Sequence, residues 1–242
     1  MKKYLFIIRA YNDIDHFTPL IDFLLSNKIA NIQLYSSEPL ETIYPNENLD
    51  YLSNQYGLNP EYLLNFSGNL YLIQLEKIIL FLNNLHTKFL LPKFIELILN
   101  RLIMVLRKRL KKIQKKFLSV KIIDLVNRIN PNLIIYDWLD PTLFPYGVIT
   151  KKAKELSIPV ISMPHGLYIY LSTENTRGGN AQFREKEALN IATNMNFDWV
   201  IVQNSIKEKH AIDIGIDKDT IMTMGSVRYE YQWVNKQRTI FN

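Results

Sequence analysis

The 242-residue sequence contains no cysteine. Disulfide bonds, thiolate metal ligands and a cysteine nucleophile are therefore excluded, and the composition favours a reducing, cytoplasmic location. No window supplies the roughly 18 uninterrupted apolar residues that a spanning helix needs. Charged residues and Pro92 interrupt the most apolar stretch, residues 69–106. The run Tyr4–Ile8 is too short for a signal peptide and predicts a first strand instead.

Common nucleotide-binding and nucleophile motifs are also missing. The patterns G-x-G-x-x-G, G-x-x-x-x-G-K-[ST] and G-x-S-x-G do not occur, so no local motif supports a dinucleotide site, a P-loop or a nucleophile elbow. Asp137, Asp140 and His165 together could ligate a metal, but no spacing such as H-x-x-x-H supports that interpretation. We predict no metal and no tightly bound cofactor.

Positive charge is concentrated in one segment. The formal net charge is +6, yet residues 101–116 alone hold eight cations and no acidic residue. Apolar residues interleave with these cations, which favours a basic amphipathic helix on an anionic membrane surface. A solvated outer face of a core helix is the alternative, and nucleic-acid contact lacks any recognised motif. The predicted membrane contacts are Arg101, Arg107, Lys108, Arg109, Lys111, Lys112, Lys115 and Lys116.

Alternating strand and helix patterns predict an α/β fold with a doubly wound, mainly parallel, Rossmann-like sheet. A long helical insertion, about residues 69–118, should interrupt it, with a break or kink at Pro92. Thr142 should cap the helix that follows the third strand, and residues 172–181 should form a flexible loop. The predicted strands are residues 3–9, 31–35, 132–137, 159–163, 198–203 and 220–224, and further helices are predicted at 13–27, 120–130, 142–156, 182–194 and 205–214.

Polar residues follow the predicted strands. In an open parallel sheet these positions emerge at one edge, where ligands bind. His165 is the candidate catalytic base because its ordinary pKa lies near neutrality, and Asp137 is the alternative base or orients His165. Ordinary polar loops, a hydrogen-bonded loop histidine and helix caps are the competing interpretation. The predicted substrate-binding residues are Arg9, Asn12, Gly166, Asn204, Ser205, Gly225 and Arg228.

The C-terminal third carries a more specific pattern. Its residues are Asn204-Ser205, Gly215-Ile216, Ile221, Gly225-Ser226-Val227-Arg228-Tyr229 and Trp233, and Pro164-His165-Gly166 precedes them. This pattern resembles the N-terminal domain of a GT-B-type glycosyltransferase of the bacterial surface-carbohydrate biosynthesis kind.

The resemblance implies the acceptor-binding half of a hexosyl-type transferase for a cell-surface polysaccharide. Residues 1–230 would form the Rossmann-like acceptor-side domain, and residues 231–242 would begin the interdomain linker. The second domain, which holds most nucleotide-sugar contacts in such enzymes, would be absent, so the chain alone would be inactive. The implied partners are a nucleotide-activated sugar donor, a glycan or lipid-linked acceptor at the inner membrane face, and a separate donor-binding domain or chain.

Two other functions remain open at this point. The chain could be a non-catalytic membrane-docking subunit that recruits a donor-binding partner. It could instead be a sugar-nucleotide epimerase-like half domain of the same fold.

Overall fold

The computed structural model describes residues 1–9, 11–67, 69–88, 93–137, 144–163, 197–213 and 215–240. Within them, seven strands form one sheet in the order β3-β2-β1-β4-β5-β6-β7, and every neighbouring pair is parallel. The predicted α/β fold with a parallel Rossmann-like sheet is confirmed. The strands are β1 (Lys2–Ile8), β2 (Ala30–Ser36), β3 (Glu61–Tyr62), β4 (Leu133–Asp137), β5 (Val160–Met163), β6 (Trp199–Val202) and β7 (Ile221–Thr223).

Seven α-helices lie in the same described ranges. They are α1 (Tyr11–Ser26), α2 (Glu47–Tyr56), α3 (Leu70–Lys88), α4 (Lys93–Ile129), α5 (Tyr146–Glu155), α6 (Ser205–Asp213) and α7 (Tyr231–Ile240). Local chemistry sets their ends. At α2, for example, the side chain of Asn46 accepts hydrogen bonds from the first-turn backbone, and Gly57 ends the helix with φ of 66°.

Both faces of the sheet are covered. Along β1, Leu5 and Ile7 pack on one side with α3, α4 and α5, whereas Phe6 and Ile8 pack on the other with α1 and α2. All four side chains are almost completely buried. A strand buried on both faces has to be apolar at successive positions, which explains the continuous apolar runs in the sequence.

The structure differs from the sequence-based prediction in two places. β3 was not predicted, because its two residues carry no strand pattern and are held only by pairing with the end of β2. α4 continues without a break from Lys93 to Ile129, because Leu118, Ile122 and Leu125 keep a buried stripe at helical spacing through its second half. The predicted kink at Pro92, the cap at Thr142, the loop 172–181 and the helix 182–194 lie outside the described residues.

Candidate functional site

The order of the strands reverses between β1 and β4. The chain moves outward from β1 to β2 and β3, and then returns to the other side of β1 as β4. At such a switch point the carboxyl ends of a parallel sheet leave a crevice that binds ligands. Arg9 follows β1 and Asp137 ends β4, and the register pairs Ile7 with Tyr136. Arg9 and Asp137 therefore flank the crevice on adjacent strands.

Other predicted site residues follow strands along the same edge. Asn12 lies in the first turn of α1, Asn204 and Ser205 follow β6, and Gly225 follows β7. Neighbouring strands lie about 4.8 Å apart, so the span from β1 across β4, β5 and β6 to β7 is about 19 Å. We call these positions the strand-end row. Its length suits an extended ligand rather than a single ion.

The structure does not fully describe three of the predicted site residues. His165 and Gly166, which follow β5 in the sequence, lie outside the described residues, and so does the side chain of Asp137. Their assigned roles as base, cleft glycine and orienting carboxylate stay predictions.

The turn from β1 into α1 is held by Asp13. Its Oδ2 accepts a hydrogen bond of 2.6 Å from the backbone N–H of Arg9, and its side chain is completely buried. Arg9 is half-buried and Asn12 is exposed, so both stand at the surface above Asp13. The N-terminal N–H groups of α1 face the same edge and carry partial positive charge. Arg9 and these N–H groups therefore supply positive charge at this end of the row, and the carboxylate of Asp13 in the first turn of α1 supplies negative charge beneath them.

Ser37 and Tyr146 link β1, the end of β2 and α5 beside the crevice. No sequence pattern indicated either residue. The backbone N–H of Ser37 donates to the carbonyl of Ile8 at 2.8 Å, and its hydroxyl shares a 2.8 Å hydrogen bond with the Tyr146 hydroxyl. The ring of Tyr146 packs against Tyr136, with 5.1 Å between centroids. The position of Ser37 after β2 was the available signal, but no local pattern links it to a tyrosine 109 residues away.

Asn204 has a structural role in addition to its place in the row. Its Oδ1 accepts a 3.0 Å hydrogen bond from the backbone N–H of Lys207 and so caps α6. The helix-cap interpretation therefore accounts for its carbonyl oxygen. Asn204 and Ser205 are both exposed at the start of α6, where a ligand in the row would meet them.

The segment after β7 turns back toward α1. Gly225 has φ of 80°, a left-handed conformation that favours glycine, and a turn at Val227–Tyr229 packs against α1. Arg228 is half-buried, with its guanidinium carbon 6.0 Å from the centroid of the Tyr229 ring. The segment that carries Arg228 therefore packs against α1, the helix that has Asn12 in its first turn.

A titratable group that the sequence did not reveal lies outside the row, beside β3 at the edge of the sheet beyond β1 and β2. Glu76 on α3 accepts a short hydrogen bond from the hydroxyl of Tyr62 on β3. Burial raises the pKa of Glu76, the hydrogen bond from Tyr62 lowers it, and the neighbouring carboxylates Glu38 and Glu41 raise it; the net result is a pKa of about 7. Across the described ranges, no three histidine, aspartate or glutamate side chains are placed to hold a metal ion.

No protein-family model and no curated protein sequence matches this chain. Its fold does match solved structures. UDP-GlcNAc 2-epimerase from Neisseria meningitidis, bound to UDP-GlcNAc, matches with a TM-score of 0.50 and 14% identity over 99% of this chain and 52% of that chain. UDP-N-acetylglucosamine 2-epimerase from Rickettsia bellii matches with a TM-score of 0.50 and 13% identity over 99% of this chain and 48% of that chain.

At these identities the similarity shows the fold alone, and the chain spans about half the length of the matched structures. The resemblance to a GT-B-type protein is thereby supported at the level of fold, while glycosyltransferase activity stays a prediction. The chain has an α/β, Rossmann-like fold that corresponds to about half of a GT-B-like structure.

Proposed function

We propose that this chain is one half of an enzyme that acts on a nucleotide-activated sugar, with the strand-end row as one wall of the substrate cleft. The observation that carries the proposal is the switch point between β1 and β4, with Arg9 and Asp137 at its two strand ends, in a fold that matches half of two UDP-GlcNAc 2-epimerases. One of those enzymes is bound to UDP-GlcNAc. We therefore propose that the ligand of this chain is a uridine diphosphate sugar.

The residues of the row have distinct roles in this proposal. The guanidinium of Arg9 and the first-turn N–H groups of α1 offset the charge of the diphosphate. Asn12 and Arg228 bind the sugar and the flank of the diphosphate from the α1 side. Gly225 and Gly166 let the backbone approach the ligand closely. Asn204 and Ser205 hydrogen-bond to the ligand at the far end of the row.

Two reactions fit this placement, and each has one observation in its favour. The first is epimerisation of the sugar nucleotide, favoured by the fold match to the two epimerases. The second is glycosyl transfer, in which the chain binds the acceptor and His165 takes the proton from its hydroxyl. The basic segment in α4 favours transfer, because a lipid-linked acceptor lies at a membrane surface. Asp137 orients His165, or acts as the base itself, in either reaction.

The ligand class is tested by saturation-transfer difference NMR on the full 242-residue chain with UDP-GlcNAc. Because the chain contributes only one wall, we expect weak, millimolar binding, with stronger saturation of the sugar protons than of the uracil protons. Arg228→Ala and Asn12→Ala should weaken the signal several-fold, since each removes about 1 kcal/mol of hydrogen bonding. Lys218→Ala, an exposed cation away from the row, is the matched control.

Two results would contradict the proposal. One is the absence of saturation transfer at millimolar UDP-GlcNAc, and the other is a signal that the Arg228→Ala and Asn12→Ala variants leave unchanged. Activity of the chain combined with its second half separates the two reactions. An epimerase converts UDP-GlcNAc to its C2 epimer without a second substrate, whereas a transferase releases UDP only when an acceptor is present. His165→Ala should abolish whichever activity is found.

A further inference from the structure

α3 and the first part of α4 form a projecting helical hairpin. We call residues 70–88 and 93–117 the helical arm. Its two helices pack against each other through a narrow apolar seam that includes Leu75, Ile79, Ile103 and Leu110, all of them buried. From Leu118 onward, α4 packs instead against the sheet and α5. The arm is therefore held by this seam and by contacts with the turn Leu63–Ser67, and much of its outer surface is exposed.

That outer surface is unusually apolar. Of the 23 large apolar side chains that are exposed among the described residues, 13 lie between residues 70 and 120. Scattered exposed apolar residues are normal, but a contiguous group of this kind marks an interaction surface. The exposed residues in this segment are Leu70, Tyr71, Ile78, Phe81, Phe94, Ile95, Leu97, Ile98, Leu102, Met104, Val105, Phe117 and Val120.

Apolar and basic residues occupy successive zones of α4. Seven of the exposed apolar residues fall within residues 94–105, at the end of the arm, where Phe94 is 72% exposed. Six of the eight predicted membrane-contact cations are exposed in residues 107–116, Lys111 lies outside the described side chains, and Arg101 is exposed within the apolar zone. At about 1.5 Å per residue, the centre of the basic zone lies about 18 Å behind the centre of the apolar zone.

We propose that the end of the helical arm inserts into the interfacial region of an anionic lipid bilayer. The apolar zone, residues 94–105, enters the boundary between headgroups and acyl chains, about 5–10 Å deep. The cations of residues 107–116 contact the lipid phosphates, which their long side chains reach from an arm inclined to the surface. No helix in the described part of the chain has the length and apolarity to cross a bilayer, so the arm enters one leaflet only.

Charge complementarity identifies lipid as the partner. Glu96 and Arg101 are exposed within the apolar zone, but between Glu96 and Asp124 the sequence has no acidic residue, so the basic zone of residues 107–116 carries positive charge only. A second copy of the chain docked arm to arm would bring two such basic zones together and incur like-charge repulsion. An anionic headgroup layer neutralises the cations while the acyl region accepts the apolar side chains. The inference does not depend on the proposed sugar-nucleotide chemistry, since no residue of the strand-end row takes part.

The first experiment is vesicle flotation of the full chain, with phosphatidylcholine vesicles and with vesicles that contain about one third phosphatidylglycerol. The chain should float with the anionic vesicles and not with the neutral ones. Replacing three basic residues (Arg107→Gln, Lys108→Gln, Arg109→Gln) should weaken partitioning about a hundredfold, at roughly a factor of five per cation. The matched control is Lys209→Gln with Lys218→Gln, which removes two exposed cations outside the arm.

The apolar zone is tested in the same assay. The double variant Phe94→Ser, Ile98→Ser should weaken partitioning by about tenfold or more, because less apolar area leaves water. The control variant Phe23→Ser, Ile206→Ser removes two comparably exposed apolar side chains outside the arm and should leave partitioning onto vesicles unchanged. All four positions are exposed, so loss of folding would not explain a difference. Equal effects of the two double variants would overturn the insertion of this zone.

Insertion itself is measured with a fluorescent label. Because the chain has no cysteine, Phe94→Cys gives a unique attachment site for an environment-sensitive nitrobenzoxadiazole group. On anionic vesicles its emission should shift to the blue and be quenched by lipids with a nitroxide in the acyl chain, whereas a label at Phe23→Cys should not respond. An unchanged label at position 94 on bound protein would overturn the proposal. So would dimerisation in solution that the Phe94→Ser, Ile98→Ser variant abolishes, since a second copy would then be the partner.

Discussion

The two faces of the sheet are completed in different ways. On the α1 face, α7 packs against α1 and α2, where Trp233 is only 3% exposed and Lys236 bonds to both carboxylate oxygens of Asp22 at 2.7 and 2.8 Å. On the α4 face, the second half of α4 covers the sheet, but the helical arm leaves twelve of its large apolar side chains exposed. The exposed apolar side chains of the arm indicate a surface that needs a partner. On the other face the chain covers its own apolar surface with α7, and the contact of Lys236 with Asp22 fixes that helix in place.

The pKa values of two carboxylates, Asp22 and Glu76, also differ between the two faces of the sheet. Burial opposes ionisation of Asp22, yet hydrogen bonds from Lys236 and two tyrosines outweigh burial and hold its pKa below the ordinary 3.8. Glu76, on the other face, is half-buried beside the carboxylates of Glu38 and Glu41, and its pKa rises to about 7. The pKa of Asp22 falls because three donors bond to its carboxylate, and the pKa of Glu76 rises because burial and neighbouring carboxylates outweigh its one donor.

The largest expected effect on the free energy of unfolding comes from comparing a phenylalanine-to-alanine substitution in the sheet core with the same substitution in the helical arm. Phe6→Ala removes a completely buried ring from the sheet core and should lower the free energy of unfolding by about 3–5 kcal/mol. Phe94→Ala removes an exposed ring from the arm and should change it by no more than about 0.5 kcal/mol. Urea denaturation followed by circular dichroism measures both. A loss of several kcal/mol for Phe94→Ala without lipid would mean that the chain itself covers the arm.

A smaller effect is expected from removing the polar contact that fixes α7. Asp22→Ala leaves the ammonium of Lys236 and the hydroxyls of Tyr51 and Tyr56 without their shared acceptor. We expect a loss of about 2 kcal/mol at neutral pH. Because the folded-state pKa of Asp22 is lowered, this contribution is complete above its unfolded pKa and disappears as pH falls through the folded value.

The Asp22 prediction is checked by urea denaturation at neutral and at acidic pH. Lys209→Met, at an exposed lysine, is the control and should stay within about 0.5 kcal/mol of wild type. A cost of Asp22→Ala that is the same at both pH values would contradict the assigned charge interaction.

The smallest effect concerns Glu76. Because its folded-state pKa is raised from 4.5 to about 7, the folded chain keeps a proton that the unfolded chain releases, and stability falls as pH rises across that window. Glu76→Gln should therefore match wild type near pH 4 and be more stable by about 1 kcal/mol near pH 8, after allowance for solvent screening. Denaturation series at the two pH values measure this difference, with Glu155→Gln as an exposed control. A variant less stable than wild type near pH 8 would show that the carboxylate is favoured in the fold.

The sequence predicted those parts of the fold that depend on local pattern. The strands that became β1, β4 and β5 are contiguous apolar runs because both faces of the sheet are covered, and the arm helices show helical spacing. Strand order does not follow from such patterns, so the switch point between β1 and β4 was not predicted. The Asp22–Lys236 and Ser37–Tyr146 contacts join residues 214 and 109 positions apart, and no local signal encodes them.

The sequence predicted some site positions and missed others, again because sequence patterns are local. Positions after strands were read from the sequence, and Arg9, Asn12, Asn204 and Gly225 do lie along one edge, although their roles stay predictions. Glu76 was missed because its raised pKa arises from burial on α3 beside β3, a strand of two residues that has no sequence signature. Chemistry that depends on packing between distant segments is outside the reach of local pattern.

The uninterrupted course of α4 has a mechanical consequence. Thirty-seven residues of continuous helix form a rod about 55 Å long. One end of this rod is clamped against the sheet and α5, and the other carries the apolar end of the arm. The part beyond the clamp, residues 93–117, is about 37 Å long, so a tilt of about 5° at the clamp would move the far end by about 3 Å. A rigid rod of this kind would work as a lever, in which small adjustments where α4 meets the sheet become displacements of a few ångströms at the end of the arm.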